Sequence, residues 1–234
     1  GTRFSEFSDK PTCQAIVSLD EKGSASYEFV IDGTATFDFK RDWLPDPYKH
    51  KPTLLHIGTL VTAIEPGASV LFDWALEVSE LAPIVFDPNI RPAVIPDRDL
   101  YRKHVEKWIG ISSVVKVSED DISWLYPDRD DVEIAKEWIA GDVSLVVITR
   151  GANGLVGVTK SGVYTVPGLK VDVVDTIGAG DTVGAVIAEA VNKFGLEELD
   201  DAALLVSMEK AARAAAITCT RKGANPPTSR ELNL

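Results

Sequence analysis

Four short apolar runs, Thr53 to Ile57, Ile84 to Phe86, Val114 to Val117 and Leu145 to Thr149, alternate with stretches whose apolar residues recur at helical spacing. Those stripes are Val70, Leu71, Trp74, Ala75 and Val78; Tyr101, His104, Val105, Trp108 and Ile109; and Ile134, Ala135, Trp138 and Ile139. A strand that is apolar throughout must be covered on both faces, and strand–helix–strand order supplies that cover when parallel strands carry helices on the sheet. The alternation predicts an α/β fold with a mostly parallel sheet. Right-handed crossovers bring every strand C-terminus to one edge, where ligands of such sheets bind. Leu155 to Thr159 and Val163 to Val166, around Lys160-Ser161-Gly162, read as a hairpin at the side of this sheet.

The polar residues that follow the strands are expected along that edge. They are Asp87-Pro88-Asn89-Ile90-Arg91-Pro92, Ser118-Glu119-Asp120-Asp121, and Thr149-Arg150-Gly151-Ala152-Asn153-Gly154. Each has a plainer reading, the first as a proline-stiffened turn and the second as a helix capping box with Asp in place of Glu. Four polar or glycine-rich turns on one edge make a candidate site, and the fourth is the most informative.

That fourth turn is Thr176-Ile177-Gly178-Ala179-Gly180-Asp181-Thr182. Val171 to Asp175 before it reads as a strand. After it, Val183, Val186, Ile187, Ala190, Val191 and Phe194 share one helical face, and Gly195 stands where a helix cap belongs. Small residues at the start of a helix let backbone N–H groups converge where the helix dipole favours an anion, so phosphate is the natural guest. A carboxylate there repels phosphate unless it handles a proton, as a base that deprotonates an attacking hydroxyl does. Two alternatives stand beside this. Asp181 can be a helix-start residue that gains from the dipole. Gly178, Gly180 and Gly184 also fit a dinucleotide fingerprint, although a second strand with an acidic residue should follow and a second helix follows instead.

Thr12 to Leu19 and Ala25 to Ile31 alternate in polarity around Asp20-Glu21-Lys22-Gly23, with Ala15, Val17 and Leu19 against Tyr27, Phe29 and Ile31. This reads as a hairpin spanning residues 13–31. A lone two-stranded ribbon is unstable, so it must pack either at the edge of the main sheet or as a small lid. Asp38 to Pro52, broken by Pro45, Pro47 and Pro52, reads as the hinge. The alanines of the helix expected from Ala202 to about Thr218 permit either tight helix packing or the approach of something flat. His50, His56 and His104 lack metal-ligand spacing and read as solvated, core and helix-face residues. With 24 basic against 36 acidic residues and a net charge of −12, neither nucleic acid nor an anionic membrane is an expected partner. Cys13 and Cys219 make no disulfide framework, which fits reduced thiols in a cytoplasmic protein, and no run reaches membrane-spanning length.

The wording Asp175-Thr176-Ile177-Gly178-Ala179-Gly180-Asp181-Thr182 closely resembles the second signature of the pfkB (ribokinase-like) sugar kinases. Similar stretches are His56 to Leu60, Phe86 to Pro92, Lys116 to Asp121, Thr149 to Gly154 and Thr218 to Ala224, while Tyr27-Glu28-Phe29 and Gly33-Thr34-Ala35 look most like bacterial fructokinases. The resemblance implies a ribokinase-like three-layer sandwich. Residues 1–40 would form part of a β lid, and residues 41–234 an α/β domain for nucleotide and sugar. It further implies ATP and Mg2+ as cofactors, a sugar as substrate, and a homodimer joined through the lid. Asp181 would be the base, with Gly178, Ala179 and Gly180 supplying N–H groups to the phosphoryl. Ser118, Thr149, Gly151 and Gly154 would serve the nucleotide, Arg91 the sugar or phosphate, and Asp121 the metal through a water. Ser118 and Asp121 depart from the family's Asn-x-x-Glu element, and the shorter Asp121 reaches less far. Relatives also open with a strand bearing an acidic sugar ligand and a Gly-Gly-x-x-x-Asn stretch, neither of which precedes Gly1, so much of the sugar pocket is expected to lie outside this sequence. The sugar is expected to be fructose, with 2-keto-3-deoxygluconate or ribose, or binding without chemistry, as alternatives.

Overall fold

The computed structural model describes residues 4–19 and 25–232. Two sheets organise them. The first pairs β1 (Gln14–Leu19) antiparallel with β2 (Ala25–Val30), and the register sets Ala15 opposite Phe29 and Val17 opposite Tyr27, as the alternation requires. Among the described residues these strands pair only with each other, so the hairpin is not an edge of the main sheet. Its expected turn, Asp20-Glu21-Lys22-Gly23, lies outside the described residues. The ribbon's base is tied to the body by the Ala35 N–H, which donates to the Pro11 carbonyl at 2.9 Å, and by the Cys13 N–H, which donates to Thr36 Oγ1 at 3.2 Å.

The segment from Asp38 to Pro52, read as a hinge, has more structure than its prolines suggest. Asp46 accepts from the N–H groups of Tyr48 and Lys49, and Pro47 starts the single turn α1 (Pro47–His50), a position where its missing N–H costs nothing. The Trp74 indole then donates to the Pro45 carbonyl at 2.8 Å and fixes the hinge to the helical layer.

The second sheet runs β3 (Leu55–Gly58), β4 (Ile84–Asp87), β5 (Val114–Ser118), β6 (Leu145–Thr149), β7 (Leu155–Val158) and β8 (Val163–Val166). Spatial order equals chain order; β3 to β6 are parallel, and β7 and β8 close one side as an antiparallel hairpin. On one face lie α2 (Gly67–Ser79), α3 (Arg98–Ile109), α4 (Glu119–Leu125) and α5 (Asp131–Ala140), enclosing Ile57, Phe86, Trp108, Ile122, Ile134 and Ile148. On the other lie α6 (Ala179–Phe194) and α7 (Asp201–Cys219), packed on Val85, Val114, Val147, Leu155 and Val166. Alternate residues of β4, β5 and β6 serve opposite cores, as buried parallel strands must. The alanine-rich face of α7 is a packing surface: Ala211, Ala212 and Ala214 are buried in the same core as Ile187 and Val191.

One expected strand is absent. Residues 171–175 are irregular, and Val173 and Val174 are each 63% exposed. The N–H groups of Val174 and Asp175 donate to the Cys219 carbonyl at the end of α7, which substitutes for a sheet partner. The valines suggested a strand, but the edge beyond β8 does not take one, and the backbone is satisfied by the helix end instead.

Candidate active site

The registers set candidate site residues side by side at the C-terminal edge. Gly58 lies opposite Asp87, and Ser118 opposite Thr149. The capping box read from Ser118 and Asp121 is present: Ser118 Oγ accepts from the Asp121 N–H at 3.0 Å, and Asp121 Oδ2 accepts from the Ser118 N–H at 3.2 Å. Asp121 Oδ1 accepts in turn from the Ile90 N–H at 2.9 Å, so this carboxylate ties the turn after β4 to the start of α4. Burial pushes its pKa up, opposed by the hydrogen bonds from Ser118 and Ile90 and reinforced by the Asp87 charge.

Gly178 caps α6 at φ 81°, a left-handed conformation that turns the chain into the helix. The Thr182 N–H and hydroxyl both donate to the Gly178 carbonyl, at 2.9 and 2.8 Å, and the same hydroxyl meets Thr218 Oγ1 of α7 at 3.0 Å. Thr182 therefore locks the turn onto the helical layer. Among the described residues no partner accepts from the N–H groups of Gly178, Gly180 and Asp181, the open donors of a helix start that form an anion nest. Asp181 is exposed and lines a cleft of about 590 Å³ with Gly178, Thr182, Glu189, Lys210 and Ala224.

Asp175 holds this turn from outside. Its carboxylate accepts from the Ile177 N–H at 3.0 Å and the Gly223 N–H at 2.8 Å, and these bonds keep its pKa below the usual carboxylate range. Thr149, Gly151 and Gly154 lie on the turn from β6 to β7, which Arg150 fastens to α5 through two bonds to Asp131, at 2.9 and 2.5 Å. Arg91 is folded onto its own turn: one of its terminal nitrogens (Nη1) donates to the Asn89 and Ile90 carbonyls and to Asn89 Oδ1.

Sequence reasoning placed Asp87, Lys116 and Asp175 in the candidate turns and resembling stretches but gave none of the three a role. Lys116 and Asp87 form a buried ion pair at 2.9 Å between β5 and β4. The available signal was a lysine inside the apolar run of β5. His56, read as a core residue, is exposed on β3, and its Nε2 faces the glycine surface of α6 at Gly184. Its strand is buried on the α2 side through Ile57, and His56 points the other way, where α6 reaches only in part. His50, read as solvated, is half-buried and meets the Phe4 ring edge-on at 4.7 Å.

A mostly parallel sheet between two helical layers, with a glycine turn and a carboxylate at its C-terminal edge and a separate β ribbon, defines a three-layer α/β protein of ribokinase-like fold. The chain belongs to the pfkB family of carbohydrate kinases, whose description matches residues 2–231. It is 34% identical over 177 residues to a fructokinase of Rhizobium leguminosarum bv. trifolii, covering 75% of this chain and 53% of that protein. It is 31% identical over 227 residues to probable fructokinase-4 of Arabidopsis thaliana, covering 94% of this chain and 69% of that protein. A double-mutant fructokinase from Vibrio cholerae O395, solved with fructose, ADP and potassium ion, superposes with a TM-score of 0.80 at 26% identity, over 94% of this chain and 71% of that one. The chain thus spans between about half and three quarters of the length of these relatives.

Proposed function

We propose that this protein transfers the γ-phosphoryl of ATP to a hydroxymethyl group of a ketose, most consistently fructose. The observation that carries this is the start of α6, where open N–H groups of Gly178, Gly180 and Asp181 stand beside the exposed Asp181 carboxylate. Asp181 takes the hydroxyl proton as the new P–O bond forms; the bond from the γ-phosphorus to the bridging oxygen breaks, and ADP leaves. The N–H groups of the nest hold the charge on the phosphoryl oxygens as it passes. Thr149, Gly151 and Gly154 line the nucleotide, Ser118 sits beside Thr149 on the same edge, and Arg91 serves the sugar once released from its own turn.

The donor set fits Mg2+ and not an all-protein metal cage. No group of three or more His, Cys, Asp or Glu converges among the described residues, and magnesium keeps several waters and binds through one or two carboxylates and substrate phosphates. Asp121, with one N–H on each carboxylate oxygen and lone pairs to spare, would hold a metal-bound water. The bound ion would neutralise charge between the transferred phosphoryl and its leaving group.

A coupled assay of ADP release by the full-length protein over a panel of sugars tests the reading. Turnover with fructose is expected. Turnover only with ribose or 2-keto-3-deoxygluconate would replace the substrate, and none with any sugar would leave a binding protein. The free thiols of Cys13 and Cys219 support a reducing, cytoplasmic setting.

The hairpin supports a homodimer built lid to lid. Among the described residues β1 and β2 pair only with each other, so each keeps an open backbone edge that a second copy can extend, and Ile16 and Val30, on the face opposite Ala15 and Phe29, are 44% and 42% exposed. Phe29→Asp is expected to give monomers by sedimentation and to raise KM for the sugar. A wild type that is monomeric at micromolar concentration would exclude this assembly.

A further inference from the structure

Lys116 is 4% exposed, in a strand whose other buried residues are Val114, Val115 and Val117. Its Nζ pairs with Asp87 Oδ2 at 2.9 Å, and no other acceptor meets it among the described residues, so two of its three N–H donors are unused. Asp87 Oδ1 is likewise buried without a hydrogen-bond partner. A half-satisfied ion pair in a core is costly, and buried polar atoms left open call for a physical explanation. The position supplies one. A β-carbon on Gly180 would stand 3.0 Å from Lys116 Nζ, so the ammonium lies directly beneath the second residue of α6, on the sheet side of the anion nest. Glycine at 180 is what permits that approach.

A chain with net charge −12 offers a phosphoryl group no help from its overall field, so charge must be supplied locally. The arginines near the edge are engaged elsewhere: Arg91 in its own turn and Arg150 with Asp131. We propose that Lys116 is a further catalytic residue. Its unused N–H donors hold the transferred phosphoryl from below while the N–H groups of Gly178, Gly180 and Asp181 hold it from the helix. Asp87 is the positioning residue that keeps the ammonium in place. Lys116 remains protonated throughout, and the hydroxyl proton still goes to Asp181. This rests on the phosphoryl-transfer reading above.

The test uses Lys116→Met, Asp87→Asn and the double variant, with turnover, KM for ATP, the Mg2+ requirement, ADP binding by calorimetry and thermal stability measured on each. Lys116→Met leaves Asp87 without its cation and is expected to lower stability. The double variant removes both charges and is expected to recover stability. In both, kcat is expected to fall about 10²–10³-fold, the loss typical of one donor to a developing oxyanion, with KM for ATP and ADP affinity within about threefold. Recovery of kcat in the double variant to within about tenfold of wild type would make the pair structural and overturn the proposal. So would loss of ADP affinity in all three, or a Mg2+ requirement raised about tenfold in Asp87→Asn. A wild type that neither binds ADP nor turns over any sugar overturns the kinase reading and this proposal with it, which separates the two failures.

Discussion

Asp181→Asn is expected to lower kcat by about 10²–10⁴-fold, the usual worth of a positioned general base, with KM for ATP little changed. The amide has the same size and keeps the first turn of α6, because that turn is held by the Thr182 bonds to Gly178 and Thr218 and not by the Asp181 side chain. What it loses is the ability to take a proton from the sugar hydroxyl. Asp181→Ala should behave the same way in turnover, which separates proton transfer from hydrogen bonding. Steady-state kinetics with ATP and fructose decide the matter, and near-normal turnover in Asp181→Asn would exclude Asp181 as the base.

Gly154→Ala should be the most damaging single methyl group on the nucleotide side. Gly154 sits at φ 94°, ψ −139°, a region that L residues avoid, and an added β-carbon would stand 2.1 Å from the Val166 carbonyl oxygen and 2.5 Å from the Gly168 nitrogen. Both obstacles are backbone, so neither can swing aside. Overpacking and forced backbone each cost about 1–3 kcal/mol, and together a loss of about 3 kcal/mol or more is expected in urea unfolding. Gly151→Ala, in the same turn, is the control. Its φ is 51° but nothing lies within 4 Å of the new carbon, so only the left-handed cost of about 1–2 kcal/mol applies. Equal losses in the two variants would contradict the crossing of the turn from β6 to β7 with residues 166–168.

Much of this arrangement was legible because each apolar strand and stripe has one physical solution. Val114 to Val117 and Leu145 to Thr149 could only be buried on both faces, and they are. The capping box at Ser118 and Asp121 also formed as read, because the donors and acceptors are local. What failed depended on partners distant in sequence. Val171 to Asp175 has the composition of a strand, but its backbone is claimed by Cys219, and no local pattern announces that. His56 alternates correctly for a core strand, yet the layer it faces covers it only partly. Lys116 lies within one of the resembling stretches but takes no role from the sequence, since a charged residue in a buried strand has meaning only once Asp87 and Gly180 are seen around it.

Because the main sheet places its strands in the order in which the chain is made, every pairing from β3 to β8 joins neighbours in sequence. Each of these pairings closes a smaller loop than the return of α6 to the sheet and is expected to form before it. The anion nest is different: the start of α6 must return across the sheet to Lys116 and Asp87, laid down long before it, and this closes a far larger loop. The scaffold is therefore expected to form first and the reactive corner last, leaving a partly refolded chain with a finished sheet and no assembled site. Pulsed hydrogen exchange during refolding should find β4 to β6 protected before the first turn of α6, and simultaneous protection would rule out that order.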